Sequence, residues 1–236
     1  MRKYIGFYAW AFSLGAFVLR LKSVIARVLF PVFAKMMRDG NQKHFKKGLT
    51  LLYRTLILLY GFITPAMVIM APRLVLLAGK EWIPAIACLQ IAIFIFSMRT
   101  FNSFLEPVFV IYGKSNPLFG LSILNGLIII GGGYLSLLWF PRIESMALII
   151  LLSCIITFLI CSEMIRRLSS VNLIRIITPG SILSFFTYLI MYSVLLLFGK
   201  NWVGTGVAIC VGAGVYLFSS RKTIIELTSI VRRQLA

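Results

Sequence analysis

Acidic residues and histidine are scarce in this sequence of 236 residues. It has 6 Asp and Glu in total and a single histidine, His44, in a basic stretch. One histidine cannot build a histidine-rich metal site, and no two carboxylates are placed as an acid–base pair. A glycine-rich phosphate loop of the P-loop type is also lacking. These absences argue against an enzyme, against ATP-driven transport and against a bound metal or cofactor.

Charged residues of both signs make up only 13% of the chain, about half the usual ~25% of globular proteins. Hydrophobic residues make up 60% and aromatic residues 14%, and the mean hydropathy is +0.98. This composition excludes a soluble domain, and it excludes disorder, which needs low hydrophobicity and few aromatics. The net charge of +18 comes from basic residues that lie between and at the ends of apolar segments. They are therefore orientation signals in a lipid bilayer, and nucleic acid is not predicted as a partner.

The apolar segments, read against proline, glycine and charged residues, predict an all-α, polytopic membrane helix bundle. Residues 1–220 form this transmembrane bundle, and 221–236 form a basic, amphipathic cytoplasmic tail that lies on anionic lipid headgroups. Pro65 and Pro107 fall inside spans, where a membrane helix tolerates a kink. The predicted spans are about seven, at 4–33, 49–71, 84–112, 117–139, 145–165, 178–199 and 203–219.

The distribution of lysine and arginine predicts the orientation of this bundle. Thirteen of the 24 basic residues lie on the side of the C-terminus and six on the other side. The richer side is expected to be cytoplasmic, which places the C-terminus inside and the N-terminus outside. Arg2 and Lys3 conflict with an external N-terminus. One hypothesis is that helices upstream of Met1 are missing and that the chain is the C-terminal part of a larger protein; the alternative is that two charges are tolerated.

Several short motifs occur in an order that resembles one family of bacterial membrane proteins. The first, Gly6-x-Tyr8-x-x-Ala11-x-x-Leu14, is similar to a G-x-Y-x-x-A-x-x-L stretch of polysaccharide export proteins. These are lipid-linked oligosaccharide flippases of the multidrug/oligosaccharidyl-lipid/polysaccharide exporter superfamily. The resemblance covers roughly 4–120. The further motifs are Val28-Leu-Phe-Pro31 before a basic loop with Asp39, Pro72-x-Leu-Val, Gly79-x-x-Trp82-x-Pro84-Ala85, Leu89-Gln90-Ile91, Pro107 and Tyr112-Gly113-Lys114.

This resemblance implies a fold of two six-helix lobes around a central cavity, often with two extra C-terminal helices. It implies that the chain exports lipid-linked polysaccharide repeat units across the bacterial inner membrane by alternating access. Its partners would be the lipid bilayer, a lipid-pyrophosphate-linked oligosaccharide and a missing N-terminal half. The chain would begin near the eighth helix of such a transporter, in agreement with the orientation conflict.

Arginines within the first predicted span are candidate contacts for the anionic substrate. Ser13, Arg20 and Arg27 are spaced seven apart and therefore share one helical face. A planar guanidinium makes bidentate bonds to phosphate oxygens, so an interior pair suits a pyrophosphate. The alternative is that both arginines bond backbone carbonyls or reach the interface.

The third predicted span carries a second polar cluster in its apolar sequence. Arg99, Asn102 and Glu106 are spaced i, i+3 and i+7, which predicts one polar stripe. Arg99 and Gln90 are further candidates for substrate binding, whereas Glu106 and Asn102 are candidates for ion coupling. The alternative is a structural ion pair between Arg99 and Glu106.

Two other classes of protein remain open on the sequence. A multi-span membrane enzyme of glycan or lipid synthesis would need catalytic carboxylates or a histidine at a membrane face, which this sequence barely supplies. A non-functional remnant of a disrupted gene is the third hypothesis.

Overall fold

The computed structural model describes residues 2–16, 35, 38, 42–139, 143–199 and 201–235. Side chains are described in these ranges except at 2–5, 137, 143, 222 and 226–235. All regular secondary structure in these ranges is helical, which confirms the predicted all-α class. The elements are α1 (Arg2–Gly15), α2 (Gln42–Ala78), a 3-10 helix (Lys80–Trp82), α3 (Ala85–Ser103), α4 (Glu106–Ile111), α5 (Asn116–Trp139), α6 (Ile143–Ser169), α7 (Leu173–Phe198) and α8 (Trp202–Leu235).

Six segments of the described chain are long and apolar enough to cross a membrane. They are α2, the consecutive pair α3 and α4, most of α5 and α6, α7, and the first part of α8. They match the last six predicted spans and indicate a multi-pass membrane protein. The first predicted span, 4–33, is described only to residue 16. The total of seven spans and the orientation of the termini stay predictions.

The long helix α2 extends beyond the predicted span 49–71 at both ends, to Gln42 and Ala78. Pro65 and Pro72 both lie inside it. A proline has no N–H, so Pro65 and Pro72 cannot donate to the carbonyls four residues earlier, those of Gly61 and Val68. The helix nevertheless continues through both positions, as membrane helices with packed neighbours can.

The third predicted span is divided into α3 and α4 by a turn at Phe104 and Leu105. Pro107 accounts for the position of the break, because Ser103 is the residue whose carbonyl would need the missing N–H. Helix α3 ends at Ser103. The amide of Leu105 instead bonds the carbonyl of Asn102 at 2.9 Å, which tightens the last turn.

The chain forms two compact units, and unit 1 consists of Met1–Lys46 and Leu74–Asn172. In its described part α3 packs against both α1 and α6, and α5 packs against α6. Its core includes the buried residues Ile95 of α3 and Ala147, Ile150 and Cys154 of α6. Helix α6 therefore lies between α3 and α5. Many large apolar side chains of α5 are exposed.

Unit 2 consists of Lys47–Arg73, which is the middle of α2, and Leu173–Ala236. Its core includes Ile69 of α2, Met191 and Leu195 of α7, and Ala208 of α8. Helices α2 and α8 run antiparallel, because Ile57 contacts Tyr216 and Arg73 contacts Thr205. Residues 221–235, predicted to form a separate tail, continue α8 without a break.

Candidate functional site

Arg99 lies near the middle of the span Ala85–Ile111, where an ionisable side chain needs a compensating partner. Its side chain is half-buried, and the guanidinium carbon lies 5.6 Å from the centroid of the Phe96 ring, in cation–π geometry. Among the described residues, none forms an ion pair or hydrogen bond with this guanidinium. Its N–H donors therefore lack an acceptor within the part of the chain that the structure describes.

The hydroxyl groups around Arg99 are engaged within their own helix. Ser97, Thr100 and Ser103 each donate to a backbone carbonyl three or four residues earlier, at 2.9, 2.9 and 2.7 Å. Such local bonds satisfy serine and threonine in an apolar helix. A charge at the centre of a membrane helix costs about 2.5–3.5 kcal/mol or more. Ring contact with Phe96 offsets only part of that cost, because a cation–π contact contributes about 0.5–2 kcal/mol.

Asn102 lies one turn beyond Arg99 and joins α3 to α6. Its Nδ2 donates a hydrogen bond of 3.0 Å to the backbone carbonyl of Cys154, 52 positions away. Its Oδ1 is buried and has no hydrogen-bond partner. The Cys154 carbonyl fixes which way the amide points, since an oxygen in place of Nδ2 would face another acceptor. Asn102 therefore combines a helix contact with one unsatisfied acceptor beside Arg99.

The break at Phe104 separates Glu106 from the other two members of the predicted stripe. Glu106 is the first residue of α4, and its side chain is exposed. Arg99 and Glu106, both described, form no ion pair with each other. Glu106 instead lies near enough to Cys161 of α6 for a Coulombic interaction. Glu106 thus begins α4, whereas Arg99 and Asn102 lie one turn apart on α3.

Gln90 is half-buried on the same helix as Arg99, but on a different face. The two are nine residues apart on the continuous helix α3, which places them about half a turn apart. One ligand group therefore does not contact both side chains from one side of α3. Arg20 and Arg27 lie outside the described residues.

No protein-family model, no curated protein and no solved structure matches this chain. A functional site in this chain is therefore inferred from its own residues. Groups of three or more His, Cys, Asp and Glu side chains that could hold a metal ion do not occur in the described ranges.

Two polar residues of unit 1 that were not predicted as site residues stand out in the structure. Tyr8 of α1 lies near enough to Arg99 for a Coulombic interaction. Asn125 of α5 has a buried Oδ1 without a hydrogen-bond partner. Asn125 was visible in the sequence as a lone amide in an apolar run. The proximity of Tyr8 to Arg99 was not, because it depends on how α1 packs on α3.

Proposed function

We propose that this protein takes part in moving lipid-linked polysaccharide units across the bacterial inner membrane by alternating access. In this proposal the guanidinium of Arg99 binds the pyrophosphate that joins the lipid to the glycan. The observation that carries the proposal is the half-buried position of Arg99 at mid-span with no partner among the described residues. Arg20 and Arg27 are proposed to contribute further contacts to the same anionic group.

A lipid pyrophosphate fits the environment of Arg99 in two respects. Its phosphate oxygens accept bidentate hydrogen bonds from a guanidinium, which a single carbonyl or hydroxyl acceptor cannot match. Its polyprenyl chain is compatible with an exposed apolar side chain of α3 such as Phe94. The motif resemblance over roughly 4–120 supports the same class of substrate.

Ion coupling is a second part of the proposal and involves Asn102 and Glu106. Ionisable and amide groups within spans commonly mark ion pathways. The unsatisfied Oδ1 of Asn102 is an acceptor for a cation or a proton-carrying group. The exposed carboxylate of Glu106 lies one short turn further along the chain.

Binding of a polyprenyl pyrophosphate to the purified full chain in lipid nanodiscs tests the role of Arg99. Arg99→Gln is expected to weaken binding about 10- to 100-fold, because a buried charge-assisted hydrogen bond contributes about 1.5–3 kcal/mol. Arg99→Lys keeps the charge but loses the bidentate geometry. It is therefore expected to bind more weakly than the wild type and more tightly than Arg99→Gln.

Arg221→Gln is the matched control, because the Arg221 guanidinium also lies over a ring three residues earlier, at 5.9 Å from the Phe218 centroid. It lies at the end of its span rather than in the middle. Its loss should leave binding unchanged. Equal binding by wild type and Arg99→Gln would contradict the proposal, and so would equal binding of the corresponding polyprenyl alcohol, which has no phosphate.

A further inference from the structure

One end of unit 1 carries basic residues on two elements that meet in space. Lys43, His44 and Lys46 belong to the first turns of α2. Lys114 lies in the connection between α4 and α5. The buried ring of Phe45 contacts the ring of Tyr112 edge-on, with centroids 5.8 Å apart, and this contact brings the two basic segments together.

The C-terminal end of α6 lies at the same end of unit 1. Helices α3 and α6 run parallel, because Ile95 contacts the first half of α6 and Phe101 contacts Phe158 further along, at 6.4 Å between centroids. The end of α6 therefore lies on the side where α4 ends. Arg166 and Arg167 are the basic residues of its last turn.

Arg166 and Arg167 share one carboxylate. Glu163 accepts hydrogen bonds from Arg166 at 2.7 and 2.8 Å and from Arg167 at 3.1 Å. By contrast, the first turns of α2 and α5 contain no acidic residue. Positive side chains at a helix N-terminus also face the positive end of the helix dipole, which raises their free energy unless an anion lies nearby.

The side chains of Lys43 and Lys114 are both exposed. Tyr112 adds no negative charge beside them, because burial raises the pKa of its phenol above the usual value and the ring stays neutral at physiological pH. Lys114 lies between the spans that end at Ile111 and begin at Asn116, and Lys43 lies at the start of the span Gln42–Ala78. Both lysines therefore lie beside apolar segments, from which a long basic side chain can reach lipid headgroups.

We propose that this end of unit 1 is a binding surface for anionic phospholipids, with Lys43 and Lys114 contacting the lipid phosphates. Basic residues near a bilayer surface each contribute favourable attraction to anionic lipid. The surface is local, because it depends on the two basic segments joined by Phe45 and Tyr112. It does not include the two arginines that are paired with Glu163. It is independent of the function proposed for Arg99.

The test is the lipid preference of the purified full chain in mixed phosphatidylglycerol and phosphatidylcholine, measured by native mass spectrometry of retained lipids. The double variant Lys43→Gln/Lys114→Gln is expected to lower the preference for phosphatidylglycerol about tenfold. Arg166→Gln/Arg167→Gln removes the same formal charge at the same end of unit 1 and is expected to lower it much less. Addition of inorganic phosphate should not compete for the retained lipid.

Each other outcome overturns the proposal in a distinct way. An unchanged preference in Lys43→Gln/Lys114→Gln would show that these lysines do not contact lipid phosphate. Equal losses in both double variants would indicate the diffuse field of the whole basic side instead of a local surface. Competition by inorganic phosphate would assign the surface to a soluble anion. Both double variants change exposed side chains, and a thermal unfolding scan verifies that they fold.

Discussion

The phenolic hydroxyl of Tyr216 donates a hydrogen bond of 3.0 Å to the backbone carbonyl of Ile57 and fills the space where a Cβ of Gly61 would lie. Tyr216 is only 3% exposed. Ile57 and Gly61 are one turn apart on α2, so the Tyr216 side chain of α8 contacts the backbone at both positions. This contact stabilises the packing of α8 on α2 within unit 2.

The glycine at position 61 and the hydroxyl at position 216 are therefore expected to be energetically coupled. Gly61→Ala should destabilise the protein by about 1–3 kcal/mol, as overpacking of a core does. In a Tyr216→Phe background the same change should cost at least about 1 kcal/mol less, because the nearest atom is removed. Thermal unfolding of the two single variants and the double variant measures this coupling. Additive effects would show that the hydroxyl does not occupy the space above Gly61.

Two glycines of α8 are expected to respond oppositely to the same substitution. A Cβ at Gly212 would collide with the side chain of Met191 on α7, whereas a Cβ at Gly214 would have no heavy atom within 4 Å. Gly212→Ala should lower the unfolding temperature, and Gly214→Ala should leave it unchanged or raise it slightly, because alanine has the higher helix propensity. A lower unfolding temperature for Gly214→Ala alone would contradict the described packing of α7 on α8.

Asn102 offers a test that separates stability from function. Leucine has the same branched shape and removes the buried, unsatisfied Oδ1, while the Cys154 carbonyl keeps its position in α6. Asn102→Leu is therefore expected to leave the unfolding temperature unchanged or to raise it. If Asn102 acts in ion coupling, the same variant should lose ion-dependent transport. Marked destabilisation would indicate that the hydrogen bond from Nδ2 to the Cys154 carbonyl stabilises the fold by more than the buried, unsatisfied Oδ1 destabilises it.

The orientation predicted from the basic residues can be measured with reporter fusions. A fluorescent protein joined after Ala236 is expected to fold in the cytoplasm and to fluoresce. Alkaline phosphatase inserted at Gly79, in the connection between α2 and α3, is expected to be active because it lies outside the inner membrane. The reverse pattern of activity would show that the thirteen basic residues on the C-terminal side face outward.

The sequence predicted where the apolar segments lie better than where the helices end. Hydropathy marks the part of α2 within the bilayer, but its polar first turns, from Gln42, continue the same helix. Pro107 was expected to kink one long helix, whereas α3 ends four residues before it, at Ser103. Hydropathy gives no information on such backbone hydrogen bonds.

The sequence predicted which residues of α3 to consider as a candidate site, but only part of their arrangement in space. Residue spacing along α3 was sufficient to place Arg99 and Asn102 on neighbouring positions of one face. Spacing alone could not show that the helix is interrupted at Phe104 and Leu105, before Glu106. The contact between Asn102 and Cys154 joins residues 52 positions apart, so it depends on the packing of α6 on α3. The role of Arg20 and Arg27 stays a prediction.

The most direct measurement of the central claim is photo-crosslinking of a polyprenyl pyrophosphate that carries a photoreactive group next to its phosphates. After irradiation of the full chain in nanodiscs, the labelled residues are identified by peptide mass spectrometry. We expect labelling on α3 around Arg99 that is strongly reduced in Arg99→Gln and unchanged in Arg221→Gln. Labelling confined to the lipid-facing side chains of α5, or equal labelling of α3 in wild type and Arg99→Gln, would contradict a pyrophosphate site at Arg99.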